Sequence, residues 1–291
     1  MKKTVVLSIV YPAVERYLLD FFDSLSNQKD QDFDVYLIND RLNNIEFYKK
    51  KYSSLKITIK NMGGSPALLR KAGIEWVLKN NFDIIVFADA DDYFSENRIA
   101  LSKLLLNHND IVCNELVLFG DSYPSQISYL GNHFQERNII CNKDIYSGNC
   151  LGLSNTALNT TQITDINIEV PENLVAFDWL FYSHLLLKDK RAIFTREIKT
   201  FYRQHNSNIG NFYLITDEQI LHGVNVKRIH YHTLSPFDNW YREQAMIFQN
   251  LYQRLYDDIH FKGKYCNALR IQMPAFPLWW ECIKSPEELR I

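Results

Sequence analysis

Three carboxylates, Asp89, Asp91 and Asp92, follow directly after an apolar run from Ile84 to Phe87. Because this run is apolar at every position, it predicts a central strand that is covered on both faces. Ligands of open α/β sheets bind at the carboxyl ends of the strands, so we expect the three side chains at a binding edge. Crowded carboxylates repel one another, and a bound Mn²⁺ or Mg²⁺ ion would relieve that repulsion. The segment therefore predicts a site for a divalent cation and for phosphate groups that complete its coordination shell.

Other interpretations of the acidic segment remain open. A solvated acidic turn before the next helix would use the same residues without any ligand. A DxD sequence at a strand end also occurs in phosphoryl-transfer enzymes with an aspartyl nucleophile. Those enzymes usually carry a small pair such as Gly-Thr after the second Asp, on the first strand. Here Asp92 and Tyr93 follow instead, on about the fourth strand.

The elements before the acidic segment alternate between strand and helix. Four short apolar runs predict strands at residues 4–10, 33–38, 55–59 and 84–87. Apolar residues recur at helical spacing over residues 14–25, and Ser65 followed by Pro66 is typical of the start of a second helix, which ends near Asn80. This order predicts an open, mainly parallel sheet.

After the acidic segment the pattern becomes less regular and then helical. We expect a helix over residues 95–106 with Ser95 as its N-cap, and a strand over 110–119. Residues 120–170 are rich in turn-forming residues and predict loops and short strands. From Asp217 onward the pattern is helical, with one clear apolar stripe formed by Tyr241, Ala245, Phe248, Tyr252 and Leu255.

Composition excludes several classes of protein. The chain of 291 residues, 46% hydrophobic and 23% charged, is long enough for one large α/β domain with an appendage. A formal charge of -2 provides no strong field for nucleic acid, so no nucleic-acid partner is expected. Five cysteines without a CxxC pair favour reduced thiols. Since no apolar run reaches the roughly 20 residues of a membrane span, we expect a cytoplasmic protein, with peripheral contact at the inner face of the membrane left open.

Four blocks of the sequence resemble the donor-binding half of family-2 inverting glycosyltransferases with the GT-A fold, and they occur in the family's order. They are residues 7–12 (LSIVYP), 32–40 (DFDVYLIND), 69–73 (LRKAG) and 89–92 (DADD). The resemblance implies an α/β fold of GT-A type, with an open, mainly parallel twisted sheet, helices on both faces and a C-terminal helical region. It also implies a nucleotide diphosphate sugar as the donor.

The same resemblance implies roles for five residues at the donor site. Pro12 would lie at the edge of the nucleotide pocket, Asp40 would read the base or ribose, and Arg70 would lie near the nucleotide. Asp89 would lie at the ribose or the metal, and Asp91 would ligate the metal that bridges the diphosphate. The chain departs from the family after its first two strands, where the family has Pro-Thr-Tyr-Asn and Gly-Ser. Here the sequence is PAVE from Pro12 and RL after Asp40, so the identity of the base stays open.

Two later blocks extend the resemblance. The segment AFDW at residues 176–179 is similar to the family's catalytic-base segment, which implies that Asp178 accepts the acceptor's proton. The segment YRQHNSN at residues 202–208 is similar to a Tyr-Arg-x-His-x-x-Asn segment of rhamnosyltransferase-like members, and it implies His205 as a further metal ligand. Gly148 and Trp179 would lie on the acceptor side. Ordinary structural roles are the alternatives: a helix cap for Asp178, a packed tryptophan for Trp179 and a structural histidine for His205.

The implied activity is inverting transfer of a hexosyl or deoxyhexosyl group to a saccharide or lipid-linked saccharide acceptor, in synthesis of cell-surface polysaccharide or glycolipid. Residues 1–110 would bind the donor, 111–215 would carry the acceptor site and the base, and 216–291 would form a helical extension. The aromatic segment at residues 273–280 and the C-terminal helices leave a membrane contact or a homodimer open. A non-catalytic module that binds a nucleotide sugar would keep the same donor residues.

Overall fold

A computed structural model describes residues 2–120, 123–163, 168–205, 216–273 and 282–291. The chain divides into two compact units. Unit 1 comprises residues 1–142, 150–168 and 188–204, and unit 2 comprises residues 143–149, 169–187 and 205–291. Each unit draws on several separate stretches of the chain, whereas the sequence predicted three consecutive regions, 1–110, 111–215 and 216–291.

Among the described residues, unit 1 contains one ten-stranded sheet. Its strands are β1 Thr4–Val10, β2 Asp34–Asn39, β3 Lys56–Asn61, β4 Ile84–Phe87, β5 Tyr93–Phe94, β6 Ile111–Gly120, β7 Tyr123–Ser128, β8 Ile139–Ile140, β9 Thr156–Asn159 and β10 Ala192–Gln204. The order is β3-β2-β1-β4-β9-β6-β10-β5, with β7 beside β6 and β8 beside β10. β1 to β4 are parallel, and β6 and β10 are parallel to each other. β9 joins β4 to β6 through two antiparallel pairings.

The register of the parallel strands brings several loops to one edge of the sheet. Val6 of β1 pairs with Val35 of β2 on one side and with Val86 of β4 on the other. The parallel pairing of β1 with β2 continues past the end of β2, because the amide of Asp40 donates a hydrogen bond to the carbonyl of Val10 at 2.8 Å. The residues that follow β1, β2 and β4 therefore share one edge, which we call the carboxyl edge.

Helices cover both faces of the parallel strands. The helices of unit 1 are α1 Leu18–Ser26, α2 Ile45–Lys51, α3 Pro66–Lys79 and α4 Arg98–Leu105. Side chains of α1, α2 and α4 pack in one core cluster with Val6 and its cross-strand neighbours Val35 and Val86. On the other face, α3 approaches so closely that a Cβ atom on Gly73 would lie 2.8 Å from Cδ1 of Leu7. The predicted open α/β sheet with helices on both faces is thus confirmed.

Local sequence signals explain where two of these helices begin. The hydroxyl of Ser65 accepts a hydrogen bond from the amide of Leu68 at 3.4 Å, and Pro66 takes the first helical position, as the sequence predicted. The predicted cap at Ser95 is wrong, because α4 begins at Arg98 after Asn97. Ser95 is instead tied to β10, since its hydroxyl accepts a hydrogen bond from the amide of Lys199 at 3.0 Å.

Unit 2 is helical over its described residues. It contains α5 Phe177–Leu187, α6 Asp217–Leu234, α7 Asn239–Asp257, α8 Ile259–Ile271 and a single turn at Pro286–Leu289. A capping box between Thr216 and Gln219 starts α6, and Asp238 and Asp258 cap α7 and α8. The predicted C-terminal helical region is confirmed. None of the helices within the described residues has the length and apolar character needed to cross a membrane.

Candidate functional site

The alternation of alanine and aspartate after β4 determines which side chains of the acidic segment are accessible. Ala88 and Ala90 are 3% and 2% exposed and belong to the core cluster of unit 1. Asp89 and Asp91, which alternate with them, are half-buried. The two small apolar residues therefore anchor the segment to the carboxyl edge and leave two carboxylates accessible there.

A charge pair joins α3 to the acidic segment. Nη2 of Arg70 lies 3.7 Å from Oδ1 of Asp89, and the two side chains are 26% and 35% exposed. A pair with this exposure stabilises the fold by only about 0 to 1 kcal/mol. Arg70 is thus held beside the carboxylates by a weak interaction that an anionic ligand can replace.

The pair borders a small cleft that is partly open to solvent. Its apolar lining includes Leu7 of β1, Leu69 of α3 and Leu153, and its charged lining consists of Arg70 and Asp89. Apolar walls with a few convergent polar groups are typical of small-molecule sites. All of these residues belong to unit 1.

Tyr11 also belongs to this site, although the sequence analysis did not single it out. It directly follows β1 at the carboxyl edge, and its side chain is 39% exposed. Partial burial raises the pKa of Tyr11, the negative charges of Asp91 and Asp89 raise it further, and Arg70 lowers it. The hydroxyl of Tyr11 therefore stays protonated and can donate a hydrogen bond. Its position, an aromatic residue at a strand end on the binding edge, was a signal available in the sequence.

Asp40 and Pro12 lie at the same edge. Asp40 follows β2, its side chain is 14% exposed, and its Oδ1 accepts a hydrogen bond from Nε of Arg41 at 2.8 Å. Arg41 has a φ angle of 66°, an uncommon conformation for a residue other than glycine. Pro12 is exposed and starts a 3₁₀ turn, Pro12–Tyr17. The structure therefore brings Pro12, Asp40, Arg70 and Asp89 to one edge of the sheet.

Asp92 differs from the other two carboxylates because it is fully buried. Its Oδ1 accepts a hydrogen bond from the amide of Arg203 at 2.8 Å, and its Oδ2 accepts one from the hydroxyl of Ser154. Burial raises the pKa of Asp92 well above its ordinary value, and the charges of Asp91 and Asp89 raise it further. Asp92 therefore holds the backbone in place, whereas Asp89 and Asp91 are partly exposed to solvent.

A buried arginine lies beneath the acidic segment. Arg98 is 1% exposed, and its Nη2 donates to the carbonyl oxygens of Phe87 and Ser154, the second at 2.6 Å. Its Nη1 donates to the hydroxyl of Thr200 at 3.2 Å. Arg98 thereby fixes the end of β4, two residues before Asp89. The sequence analysis missed this role, because an arginine at a helix start is ordinarily exposed.

The donor atoms present suit a divalent cation that shares its coordination with a ligand. Within the part of the chain that the structure describes, no three His, Cys, Asp or Glu side chains are grouped closely enough to hold a metal ion. A preformed three-ligand site is therefore absent there. Mg²⁺ is typically bound by only one or two carboxylates, with phosphate oxygens and water completing its shell. Asp89 and Asp91 meet that requirement.

In unit 2, Asp178 lies in the first turn of α5. The side chain is half-buried, and its Oδ1 accepts a hydrogen bond from the amide of Trp179 at 2.9 Å. A negative charge is favoured at a helix N-terminus, where amide groups point toward it. The carboxylate of Asp178 is thus partly exposed to solvent and is fixed by the amide of Trp179.

Trp179 lies in the core of unit 2. It is 0% exposed, its Nε1 donates to the carbonyl of Ile145 at 2.7 Å, and its ring stacks on that of His230 with centroids 3.7 Å apart. A side chain buried in this way cannot present its face to a sugar. The predicted acceptor-side role of Trp179 therefore does not agree with the structure, and packing of α5 is the role that it has.

The remaining predicted residues also lie in unit 2. His205 is 6% exposed, and Gly148 is half-buried in the stretch 143–149. Metal binding by His205 and acceptor contact by Gly148 stay predictions. Residues 206–208 of the Tyr-Arg-x-His-x-x-Asn segment and residues 274–280 of the aromatic segment lie outside the described residues.

Comparison with known proteins gives matches in structure but not in sequence. No protein-family model and no curated protein matches the chain. The structure of S. aureus TarS 1–349 in complex with UDP-GlcNAc matches with a TM-score of 0.63 and 15% identity, covering 94% of this chain and 76% of that chain. TarS 1–349 alone matches with a TM-score of 0.61 and 16% identity, over 92% of this chain and 79% of that chain.

A mannosyltransferase, PcManGT from Pyrobaculum calidifontis in complex with GDP-Man and Mn²⁺, matches with a TM-score of 0.57 and 12% identity. The match covers 96% of this chain and 77% of that chain. These structures share the fold of this chain at low sequence identity. The chain thus has the GT-A-like fold found in proteins that bind nucleotide sugars.

Proposed function

We propose that this protein is a metal-dependent glycosyltransferase that uses a nucleotide diphosphate sugar. The observation that carries the proposal is the Arg70–Asp89 pair, with Asp91 and Tyr11 close by, in a cleft at the carboxyl edge of the sheet. A cation next to accessible carboxylates suits a diphosphate and the divalent ion that accompanies it. TarS and PcManGT, which share the fold, have structures with UDP-GlcNAc and with GDP-Man and Mn²⁺.

At the donor side, each proposed role follows from the chemistry of the side chain. Arg70 is placed to balance the charge of the diphosphate, and the protonated hydroxyl of Tyr11 can donate to a phosphate or ribose oxygen. Asp40 and Pro12 would contact the base or ribose. To accept a hydrogen bond from a base, Asp40 would share or exchange its contact with the 82% exposed Arg41.

Asp91 and Asp89 would hold the divalent cation, Mn²⁺ or Mg²⁺. When bound, such an ion acts as a Lewis acid that stabilises the departing diphosphate. Asp89 and Asp91 would orient the donor by holding the ion. Without the ion, the phosphates of the donor would face the uncompensated charge of these two carboxylates.

Asp178 would be the general base. A carboxylate held at a helix N-terminus by the amide of Trp179 has a fixed direction. By accepting the proton of an acceptor hydroxyl as it attacks opposite the diphosphate, Asp178 would give inversion at the anomeric carbon. Because Trp179 is buried, Gly148 is the remaining candidate on the acceptor side.

We also propose a transferred group, an acceptor and a cellular location for this activity. The transferred group would be a hexosyl or deoxyhexosyl residue, and the acceptor a saccharide or lipid-linked saccharide. The protein would act in cell-surface polysaccharide or glycolipid synthesis, in the cytoplasm or on the inner face of the membrane. We propose as well that the protein forms a homodimer.

Calorimetric titration with UDP and with GDP, each with Mn²⁺ and again with EDTA, tests the proposal. We expect one nucleotide to bind with Mn²⁺ and to lose most of its affinity with EDTA, because its phosphates would then face Asp89 and Asp91 directly. The absence of binding by both nucleotides would overturn the proposal. Binding without release of free nucleotide from UDP-GlcNAc or GDP-mannose in the presence of saccharide acceptors would instead indicate the non-catalytic module.

A further inference from the structure

Arg203, near the end of β10, makes several directed contacts within unit 1. Its Nε donates to the carbonyl of Asp91 at 2.8 Å, and its Nη2 donates to Oδ2 of Asp20 on α1. The guanidinium packs against two aromatic rings, 4.4 Å from the centroid of Tyr17 and 4.6 Å from that of Phe119. With only 15% of the side chain exposed, these contacts leave it little freedom to move.

These contacts join two parts of the carboxyl edge. Tyr17 ends the 3₁₀ turn that begins at Pro12, so the guanidinium holds the segment that follows Tyr11. On its other side the same group holds the backbone of Asp91. The backbone amide of Arg203 also donates a hydrogen bond to Asp92. Arg203 therefore holds Asp91 with its side chain and Asp92 with its main chain.

We propose that Arg203 is a positioning residue of the donor site, which fixes the carboxylate of Asp91 relative to the turn after β1 without contacting the donor. The inference rests on the proposed function, because it assigns Arg203 a task in binding the cation and diphosphate. Partners that orient metal ligands typically change metal affinity about 10- to 100-fold when they are removed. An effect of that size is expected here.

The geometry requires an arginine. The planar guanidinium presents donors in two directions and packs against two rings, whereas a lysine offers one compact ammonium group. Arg203→Lys would keep the positive charge and could keep the pair with Asp20. It could not reach Asp20 and the carbonyl of Asp91 together while keeping its contacts with Tyr17 and Phe119.

The test separates positioning from simple stabilisation by measuring Mn²⁺ dependence. UDP or GDP, whichever the wild-type protein binds more tightly, is held at fixed concentration, and the Mn²⁺ concentration for half-maximal binding is measured well below the melting temperature. For Arg203→Lys we expect this concentration to rise about 10-fold or more. The matched control, Asp20→Asn, removes the charge pair but leaves the bond to Asp91, and we expect a rise of less than about 3-fold.

A folded Arg203→Lys variant with the wild-type Mn²⁺ requirement overturns the inference, and so does an equal rise in both variants. If Arg203→Lys does not fold, Tyr17→Leu replaces it, because this change removes one ring from the guanidinium and leaves the hydrogen bonds of Arg203 to Asp20, Asp91 and Asp92. We expect Tyr17→Leu to raise the Mn²⁺ requirement about 3-fold, and no rise overturns the inference. A wild-type protein that binds neither nucleotide overturns the proposed function itself, and this inference with it.

Discussion

The hydroxyl of Ser154 donates a hydrogen bond to the buried carboxylate of Asp92 across 62 residues of the chain. The amide of Arg203 donates a second hydrogen bond to the same carboxylate. Asp92 therefore has a structural role among the three neighbouring aspartates. Asp89 and Asp91 differ from Asp92 only in where their side chains point. The acidic segment thus combines a fixed backbone with two accessible charges, and the two kinds of carboxylate should respond differently to substitution.

Asp91→Asn should weaken Mn²⁺-dependent nucleotide binding at least about 10-fold, because it removes a charged ligand and keeps its size. The side chain is half-buried, so we expect the free energy of unfolding to change by less than about 1 kcal/mol. Calorimetric titration and thermal unfolding measure the two effects. Wild-type affinity in this variant would exclude Asp91 as a metal ligand.

Asp92→Ala should act on stability instead. It leaves the hydroxyl of Ser154 and the amide of Arg203 without their buried acceptor, and we expect the free energy of unfolding to fall by about 3 kcal/mol. Urea denaturation measures this loss. Asp92→Asn, which keeps one acceptor oxygen, is the matched control and should lose less. A loss below about 1 kcal/mol for the alanine variant would contradict the structural role.

Asp178→Asn should reduce the rate of transfer by about 10²- to 10⁴-fold, because it removes the basic group but keeps the shape of the side chain. Its amide oxygen can still accept from the amide of Trp179, so the melting temperature and donor affinity should stay close to wild type. Rate, affinity and melting temperature are measured side by side. An active variant would show that Asp178 is not the general base.

His230 should make unit 2 sensitive to acid. Burial lowers the pKa of His230 well below its ordinary value of 6.5, and the nearby charge of Lys227 lowers it further. The unfolded chain therefore takes up a proton near pH 6.5 that the folded chain resists, so stability is complete above that pH and is lost below it. We expect a loss of about 2 kcal/mol between about pH 7 and about pH 5 from this residue.

His230→Phe is the variant that isolates this effect. It keeps an aromatic ring against Trp179 and removes the titrating group. The free energy of unfolding, measured with urea at several pH values, should fall less steeply below about pH 6.5 in the variant than in the wild type. Equal slopes in the two proteins would show that His230 does not contribute.

Sequence patterns predicted the parallel half of the sheet well because its signals are local. The four apolar runs correspond to β1 to β4, the run at residues 110–119 corresponds to β6, and the cap and proline that start α3 lie within one turn. β9 lies within residues 120–170, where short strands were predicted without bounds, and β10 was not predicted. β10 alternates buried and exposed residues irregularly around a bulge between Thr195 and Lys199, and β9 has only four residues, so neither carries a clear period.

The candidate site likewise has a part that sequence signals reveal and a part that they do not. Asp40 and Arg70 were singled out by the resemblance, and Asp89 also by its position after a buried strand; in the structure Arg70 and Asp89 are in contact. The roles of Asp92 and Arg203 depend on partners from distant strands, and no local spacing reveals such partners. Burial of Trp179 likewise depends on α6, which supplies His230.

The bond between Arg203 and Asp92 also has a consequence for how the protein is made, because it spans 111 residues. While the ribosome is still synthesising the middle of the chain, β1 to β4 can already pair, yet β10 has not appeared. Contacts this distant along the chain form slowly, since a large loop must close first. We therefore expect the acidic segment to reach its final conformation late, after the strand that carries it.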